Sequence, residues 1–330
     1  MATELAIAGD VLPLWYAPAH DYVMLSNEKT QWLEKVNARY NMAKVWHNED
    51  IEACFPWGWS KATVWYLERA GINPQRLPST EMLEKLRALS HRRLTIEAHR
   101  SLKSGINVIE ASSMSQCEAF LNTYKRVIGK YPWSSTGRGL FSGNNTFRES
   151  FLNRCMGAIN HQGSVMLEPY FDVITDFAML YKAHSNSITF EGFSLFNTNK
   201  RAYTGNILLS DSEIKKELSF LIDETIIDNT SKSMCAFLNE KIAGHYQGFI
   251  GVDMFVYRDN NNAFKLNPCV EINLRTTMGI VAHELVCRHL GNDFSGTLKI
   301  EVITNKSSRK PFLTLNPPES PILFNVYDTP

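Results

Sequence analysis

The chain has 330 residues, a length that predicts about two domains. Hydrophobic residues make up 44% of the chain and charged residues 21%, so it can form a large core and is too apolar for a disordered protein. The 34 basic residues balance the 34 acidic ones, whereas nucleic-acid-binding proteins usually carry a basic excess, so that class is disfavoured.

Targeting and cysteine patterns favour a cytoplasmic protein with no membrane partner. No stretch approaches the roughly 20 apolar residues of a membrane span, and the N-terminal segment lacks the features of a signal peptide. The six cysteines are scattered without a CxxC pair, which favours reduced thiols in the core. His283-Glu284 begins like the zinc motif HExxH, but Cys287 stands where the second histidine would be, so we expect no zinc site.

The first 105 residues are predicted to form an α/β domain of short strands and helices. Helical spacing of apolar residues predicts helices over Asn27–Tyr40, Lys61–Ala70 and Thr80–Ser90. All seven tryptophans lie at or before Trp133, whereas fourteen of the eighteen glycines lie at or after Gly129. The Trp-rich region is interpreted as packed core; lining of a substrate pocket is the alternative.

The remainder is predicted to be a mixed domain over residues 106–304, followed by a Pro-rich segment over residues 305–330 that packs on it as a surface-wrapping strand or extended segment. Two long helices are predicted over Ser212–Asn229 and Ser231–Gly244, and another over Ala282–Leu290. Strands are predicted over Val108–Ala111, Arg126–Lys130, Val165–Glu168, Thr175–Lys182, Ile188–Asn197, Phe249–Tyr257 and Phe264–Leu274.

The first segment that indicates chemistry is a Gly- and Ser-rich loop that follows the strand ending at Lys130. Glycines allow such a loop to turn its backbone N–H groups toward phosphate oxygens, and Lys130 and Arg138 could add positive charge. The loop is neither a Walker A motif nor GxGxxG, and by itself a solvated turn is an equal reading. The predicted loop residues are Ser134, Ser135, Thr136, Gly137, Arg138 and Gly139.

The second segment is a predicted β-hairpin that contains Asp253 and the run Glu271-Ile-Asn273-Leu-Arg275. Alternate residues of a strand share one face, so Glu271, Asn273 and Arg275 project together. The Asp-Asn turn near Asn262 would place Asp253 close to Glu271. Two carboxylates and an amide oxygen form an oxygen-only ligand set of the kind that Mg²⁺ prefers. A solvent-facing hairpin is the alternative, but it explains poorly an aspartate inside FIGVDMFVY.

The chain resembles the ATP-grasp superfamily in four motifs and in their order. These are the strand-ending Lys130, the Gly/Ser loop, the strand VMLEPYFD and the pattern Asp253…Glu-x-Asn-x-Arg. The resemblance covers roughly residues 100–300. It implies two α+β lobes that clamp ATP, preceded by a Rossmann-like α/β domain. Members typically activate a carboxylate with ATP and join it to an amine or thiol.

The resemblance also implies roles for individual residues. Lys130 would contact ATP, and the loop from Ser134 to Gly139 would cover its phosphates. Asp253, Glu271 and Asn273 would hold Mg²⁺, or Mn²⁺ in its place, and Arg275, Lys130 and Arg138 would stabilise the transferring phosphoryl group. The adenine hinge would comprise Glu168, Pro169, Tyr170 and Phe171, with Asp176 holding the ribose hydroxyls.

The sequence departs from the superfamily pattern before the first lobe. Ser90-His91-Arg92-Arg93 stands where many members have an Asp-Lys pair, which makes Arg92 or Arg93 a candidate nucleotide contact. Arg201 could reach the γ-phosphate, with a solvated turn as the simpler reading. The expected function is an ATP- and Mg²⁺-dependent carboxylate–amine ligase with small-molecule substrates; an ATP-grasp kinase that acts on a hydroxyl, or a non-catalytic nucleotide-binding module, are the alternatives.

Overall fold

The computed structural model describes residues 2–26, 30–134, 139–199, 202–303 and 309–329. The predicted loop residues Ser135, Thr136, Gly137 and Arg138, and also Arg201, lie outside these ranges. No described helix combines the length and the apolar composition that a membrane crossing would need.

The described residues between Ile109 and Pro169 form a small lobe built on an antiparallel sheet of four strands in the order β3-β6-β4-β5. Its elements are β3 (Ile109–Ala111), α7 (Met114–Tyr124), β4 (Arg126–Lys130), β5 (Leu140–Asn144), α8 (Arg148–Gln162) and β6 (Val165–Pro169). The two helices cover one face of this sheet, and the ring of Phe151 lies so close to Gly143 that a Cβ there would stand 2.3 Å from it. Glycine at this position therefore lets α8 pack directly on the strand.

The second lobe is an eight-stranded antiparallel sheet in the order β11-β10-β7-β8-β9-β12-β14-β13. Its strands are β7 (Asp172–Ala183), β8 (Ile188–Asn199), β9 (Ala202–Leu208), β10 (Gly248–Arg258), β11 (Phe264–Asn273), β12 (Gly296–Val302), β13 (Leu313–Thr314) and β14 (Ile322–Asp328). Helices cover parts of both faces, which gives the lobe two main cores.

One face of the large sheet packs on four helices. They are α5 (Thr80–Leu89), α6 (Leu94–Ser101), α9 (Asp211–Ser219) and α10 (Glu224–Ile242). Alternate strand residues such as Phe177, Met179, Val252 and Met254 enter this core. The residues between them, including Asp176 and Asp253, point to the opposite face, because side chains alternate along a strand. The helical packing therefore determines which residues are left to form a site.

The opposite face is covered in part by α11 (Met278–Leu285) and by the first helices of the chain. The elements of the front segment are α1 (Ala2–Gly9), α2 (Pro13–Tyr16), β1 (Tyr22–Val23), α3 (Thr30–Asn37), β2 (Lys44–Val45) and α4 (Lys61–Arg69). Leu14, Trp15 and Val36 share a core with residues of α11, β12 and β14.

The Rossmann-like domain expected at the front is not seen as a separate unit in the described part of residues 1–105. The two strands there pair in parallel over only two residues each, and the other elements are helices. The physical reason is that the apolar residues of α1, α2 and α3 pack on the large sheet instead of on a sheet of their own. The boundaries at residues 105 and 304 stay predictions.

Three other elements differ from the predictions. The chain breaks between α9 and α10 at residues 220–223, because Asp223 caps a new helix there, instead of near residue 230. The helix expected over Ala282–Leu290 begins at Met278, with Thr277 as its cap, and ends in a π-helical turn over Val286–Leu290. The Pro-rich tail does not wrap the surface: β14 lies between β12 and β13, and Ile322 to Tyr327 are all buried.

Candidate active site

The hairpin of β10 and β11 brings Asp253 and Glu271 together as directly paired residues of neighbouring strands. Gly251 pairs with Asn273, so the two acids and the amide lie on one face at the end of the hairpin. Asn273 Nδ2 donates to Asp253 Oδ2 at 3.2 Å, and Arg275 Nη2 donates to Asn273 Oδ1 at 3.1 Å. The predicted juxtaposition of these four side chains is therefore present.

The electrostatics of this face favour a bound cation. Burial and, to a smaller extent, the neighbouring Glu271 carboxylate raise the pKa of Asp253 to about 7, against the lowering effect of Arg275. A divalent cation between the two carboxylates would relieve this repulsion. No cluster of three or more His, Cys, Asp and Glu side chains suited to a metal ion occurs among the described residues, so a third protein ligand here would be the Asn273 amide oxygen. That oxygen-only set fits Mg²⁺.

Asp176 lies on the same face, two strands away from Glu271. It pairs with Phe255 of β10 and Phe196 of β8, and it contributes to the raised pKa of Asp253. Thr198 Oγ1 donates to Asp176 Oδ2 at 2.8 Å. Burial raises the pKa of Asp176 in spite of this hydrogen bond. Its predicted contact with a ribose stays a prediction.

Lys130 and Glu168 form an ion pair in the small lobe, with 2.7 Å between Nζ and Oε1. Both side chains are buried. Lys130 Nζ also donates to the Val270 carbonyl at 3.4 Å, so this lysine links β4 of the small lobe to β11 of the large sheet. A small cavity between the lobes is lined by Arg92, Thr95, Val108, Lys130, Met166, Leu167, Glu168 and Val270.

The predicted hinge, Glu168 to Phe171, joins β6 to β7. Phe171 packs against Tyr257, with ring centroids 4.5 Å apart, and the Arg126 guanidinium lies 3.8 Å from the Tyr170 ring centroid. Pro169 ends β6. The hinge is therefore held to both lobes by aromatic contacts.

Arg92 holds three parts of the site together. Arg92 Nη2 forms an ion pair with Glu271 Oε1 at 2.7 Å. The same guanidinium donates to the Tyr131 carbonyl at 2.7 Å and to both Oγ and O of Ser134. It is 5% exposed, and its Nε has no hydrogen-bond partner. Arg93 instead pairs with Glu110 away from the site. Both arginines were candidates from the sequence, and the structure places only Arg92 against Glu271.

The described ends of the predicted phosphate loop lie close together. Tyr131 N donates to the Gly139 carbonyl at 3.1 Å, and a Cβ on Gly139 would stand 3.1 Å from the Ser134 Cβ. Gly139 also has φ = +83°, which favours glycine. The described ends of the loop, its stem, therefore lie beside Arg92 and Lys130.

A turn of the front segment packs on Arg275, a contact that sequence reasoning missed. Thr276 N donates to the Trp57 carbonyl at 2.9 Å, and a Cβ on Gly58 would lie 3.4 Å from the Arg275 Cβ. Trp57 packs on one core of the large lobe and Trp59 on the other. The only signal in the sequence was the turn Phe55-Pro-Trp-Gly-Trp-Ser60, which marks a loop but not its partner.

Comparisons with known proteins identify the fold. The chain matches no family model and no curated protein sequence. Among solved structures it is similar to a biotin carboxylase from Campylobacter jejuni in complex with βγ-ATP, with a TM-score of 0.53, 13% identity, and coverage of 84% of this chain and 71% of that one.

It is also similar to the biotin carboxylase domain of the Hydrogenobacter thermophilus 2-oxoglutarate carboxylase, which was solved with MgADP and bicarbonate. The TM-score is 0.52 at 12% identity, with coverage of 91% of this chain and 72% of that one. A third match, the Staphylococcus aureus N5-carboxyaminoimidazole synthetase with ADP, has a TM-score of 0.43 at 16% identity; 65% of this chain aligns with 57% of the synthetase. The two-lobed architecture shared with both carboxylases shows that the chain has the ATP-grasp fold.

Proposed function

We propose that the chain is an ATP- and Mg²⁺-dependent ligase that activates a carboxylate as an acyl phosphate and joins it to an amine or thiol. The observation that carries the proposal is the row of Asp253, Glu271, Asn273 and Arg275 on one sheet face, tied through Arg92 to the stem of the Gly/Ser loop. The ATP-grasp fold supports it, as do the nucleotides bound in the two similar carboxylases.

Each group has a part in that reaction. Asp253, Glu271 and Asn273 would hold Mg²⁺, which when bound neutralises charge on the phosphates. Lys130 lies between the lobes, where Glu168 holds it in an ion pair, and would contact ATP from the end of β4. Arg275 is a cation next to the metal ligands and would stabilise the phosphoryl group in transfer and the tetrahedral intermediate that follows.

Arg92 would align the loop with the metal ligands. Its guanidinium contacts Ser134 at the start of the loop and Glu271 on β11 at the same time. Groups that stabilise a transition state must be held in place before the reaction, and a buried guanidinium with these contacts provides that constraint.

The test uses the whole chain with ATP, Mg²⁺ and a pool of amino acids and other small carboxylates. ATP with Mg²⁺ should raise the melting temperature, because a ligand that binds only the folded state stabilises it. A ligase should release ADP and phosphate when both substrates are present, and hydroxylamine should trap the acyl phosphate as a hydroxamate. ADP with a stable phosphorylated product would instead identify a kinase, and no binding of ATP would refute the assignment.

A further inference from the structure

Trp133, the residue directly before Ser134, contacts helices that belong to different lobes. Gln162 lies at the end of α8 in the small lobe, and its side chain brackets the Trp133 backbone. Gln162 Oε1 accepts from Trp133 N at 2.9 Å, and Gln162 Nε2 donates to the Trp133 carbonyl at 3.1 Å. Two hydrogen bonds to one residue fix both its position and its orientation, so this part of the stem is tied to α8.

The indole ring of Trp133 is held by the end of α5, a helix that packs on the large sheet. Trp133 Nε1 donates to the Arg87 carbonyl at 3.0 Å. Arg87 is one of the last four residues of α5, whose carbonyls have no partner within the helix, so the indole N–H satisfies one of them. The Arg87 guanidinium also lies 4.5 Å from the Trp133 ring centroid. The buried His91 ring lies nearly perpendicular to the indole, with centroids 4.4 Å apart.

The neighbours of Trp133 in the stem are held from the turn between α5 and α6. Arg92 N donates to the Pro132 carbonyl at 3.2 Å, and the Arg92 guanidinium contacts Ser134. The residues on both sides of Trp133 therefore have fixed partners as well. The chain reaches the Gly/Ser loop with its backbone attached to both lobes.

The contacts of Trp133 are those of an anchor and not those of a core residue. Its ring packs in none of the apolar cores formed by the described residues. Its partners are instead a side-chain amide, a helix-terminal carbonyl, a guanidinium and an imidazole. Such contacts add little apolar burial, but they determine where the stem lies.

We propose that Trp133 is a positioning residue for nucleotide binding, which sets the affinity for the β- and γ-phosphates by joining the stem to α8 and to the end of α5. The inference rests on the proposed function, in which the Gly/Ser loop covers the phosphates of ATP. A stem that is already fixed loses less conformational entropy when the phosphates bind. The contribution of Trp133 should therefore depend on the phosphates that a nucleotide carries and not on its base.

The test measures the dissociation constants of ATP and of AMP, each with Mg²⁺, for the whole chain by isothermal titration calorimetry. In Trp133→Leu we expect ATP to bind about tenfold more weakly and the affinity for AMP to change less than about twofold, because AMP lacks the β- and γ-phosphates. The matched control is Trp65→Leu on α4. Trp65 also lies against an arginine, with the Arg69 guanidinium 4.8 Å from its ring centroid, but it is 57% exposed. That variant should bind both nucleotides as the wild type does.

Two further variants test the same constraint. Gln162→Met keeps the length of the side chain and removes both hydrogen bonds to Trp133, so it should weaken ATP binding with the same selectivity, even if Trp133→Leu does not fold. Trp133→Phe keeps a ring between Arg87 and His91 and should lose less affinity for ATP than Trp133→Leu.

Equal losses for ATP and AMP would show a general role in the fold and would overturn the proposal. Wild-type affinity for ATP in folded Trp133→Leu or in folded Gln162→Met would overturn it as well, while leaving the proposed function intact. A wild-type chain that binds neither nucleotide would refute the proposed function and this inference with it.

Discussion

Two ionisable clusters among the described residues are balanced in opposite ways. On the hairpin of β10 and β11, burial and Glu271 push the pKa of Asp253 up to about 7, toward the neutral acid. In the second cluster, where the start of α9 meets α11, the charged forms are favoured: against burial, hydrogen bonds raise the pKa of His283 to about 12 and lower that of Glu284. In the first cluster Arg92 and Arg275 offset burial and like-charge repulsion only in part, whereas in the second His283 and Arg288 match Asp211 and Glu284.

This difference indicates where a ligand is needed. A buried carboxylate beside a second carboxylate loses stability in its charged form unless a cation binds there. A buried imidazolium between two carboxylates needs no further partner. The hairpin cluster should therefore respond strongly to Mg²⁺, and the helical cluster should not respond at all.

The largest expected effect is that of Glu271→Gln on turnover. The change keeps the shape of the side chain and removes one of the two carboxylates, so we expect ATP-dependent product formation to fall by about 10²–10³-fold. The melting temperature without Mg²⁺ should stay close to that of the wild type, because Asp253 loses a like-charge neighbour while buried Arg92 loses its carboxylate partner. The matched control is Glu68→Gln on the exposed side of α4. Unchanged turnover in Glu271→Gln would remove this residue from the metal site.

The second effect concerns pH. The pKa of Asp253 is raised in the folded state, so the folded chain binds more protons than the unfolded chain between about pH 4 and 7. The contribution of Asp253 to the free energy of unfolding without Mg²⁺ should therefore fall as pH rises through this window, and Asp253→Asn should remove that contribution from the pH dependence. Thermal melts at pH 5 and 7.5 measure it, with exposed Asp172→Asn as the control. Equal pH dependence in wild type and Asp253→Asn would contradict the assignment.

A smaller effect is expected from the second cluster. Asp211→Asn removes one partner of buried His283 and should lower the free energy of unfolding by about 1–2 kcal/mol. Chemical denaturation with and without Mg²⁺ should give the same loss, because this cluster balances its own charge. If Mg²⁺ changes the loss by more than the experimental error, the contrast between the two clusters is wrong.

The smallest effect tests how the front segment holds Arg275. The added methyl group of Gly58→Ala would lie 3.4 Å from the Arg275 Cβ, so a shift of a few tenths of an ångström is enough to accommodate it. We expect kcat to fall a few-fold, with little change in the ATP concentration for half-maximal rate or in melting temperature. Gly157→Ala in α8 is the control, since its nearest neighbour is 3.7 Å away. A wild-type kcat in Gly58→Ala would argue against this positioning role.

Local patterns in the sequence were sufficient for the hairpin. Alternation predicted that Glu271, Asn273 and Arg275 share a face, and the Asp-Asn turn predicted their pairing with Asp253, because both rules depend only on neighbouring residues. The strand Arg126–Lys130 was predicted with the bounds that the structure has. Order of motifs along the chain was enough to indicate the ATP-grasp fold.

Contacts between distant segments were decided by the tertiary structure. Nothing local distinguishes Arg92 from Arg93; packing of α6 against β11 turns one toward Glu271 and leaves the other with Glu110. The contact of Gly58 with Arg275 also joins distant segments. The prolines that precede β14 favoured a peripheral segment, although the strand is buried within the sheet. By itself the sequence determined the local faces and turns of this protein, and only the tertiary structure decided which faces meet, because those contacts join residues far apart in the chain.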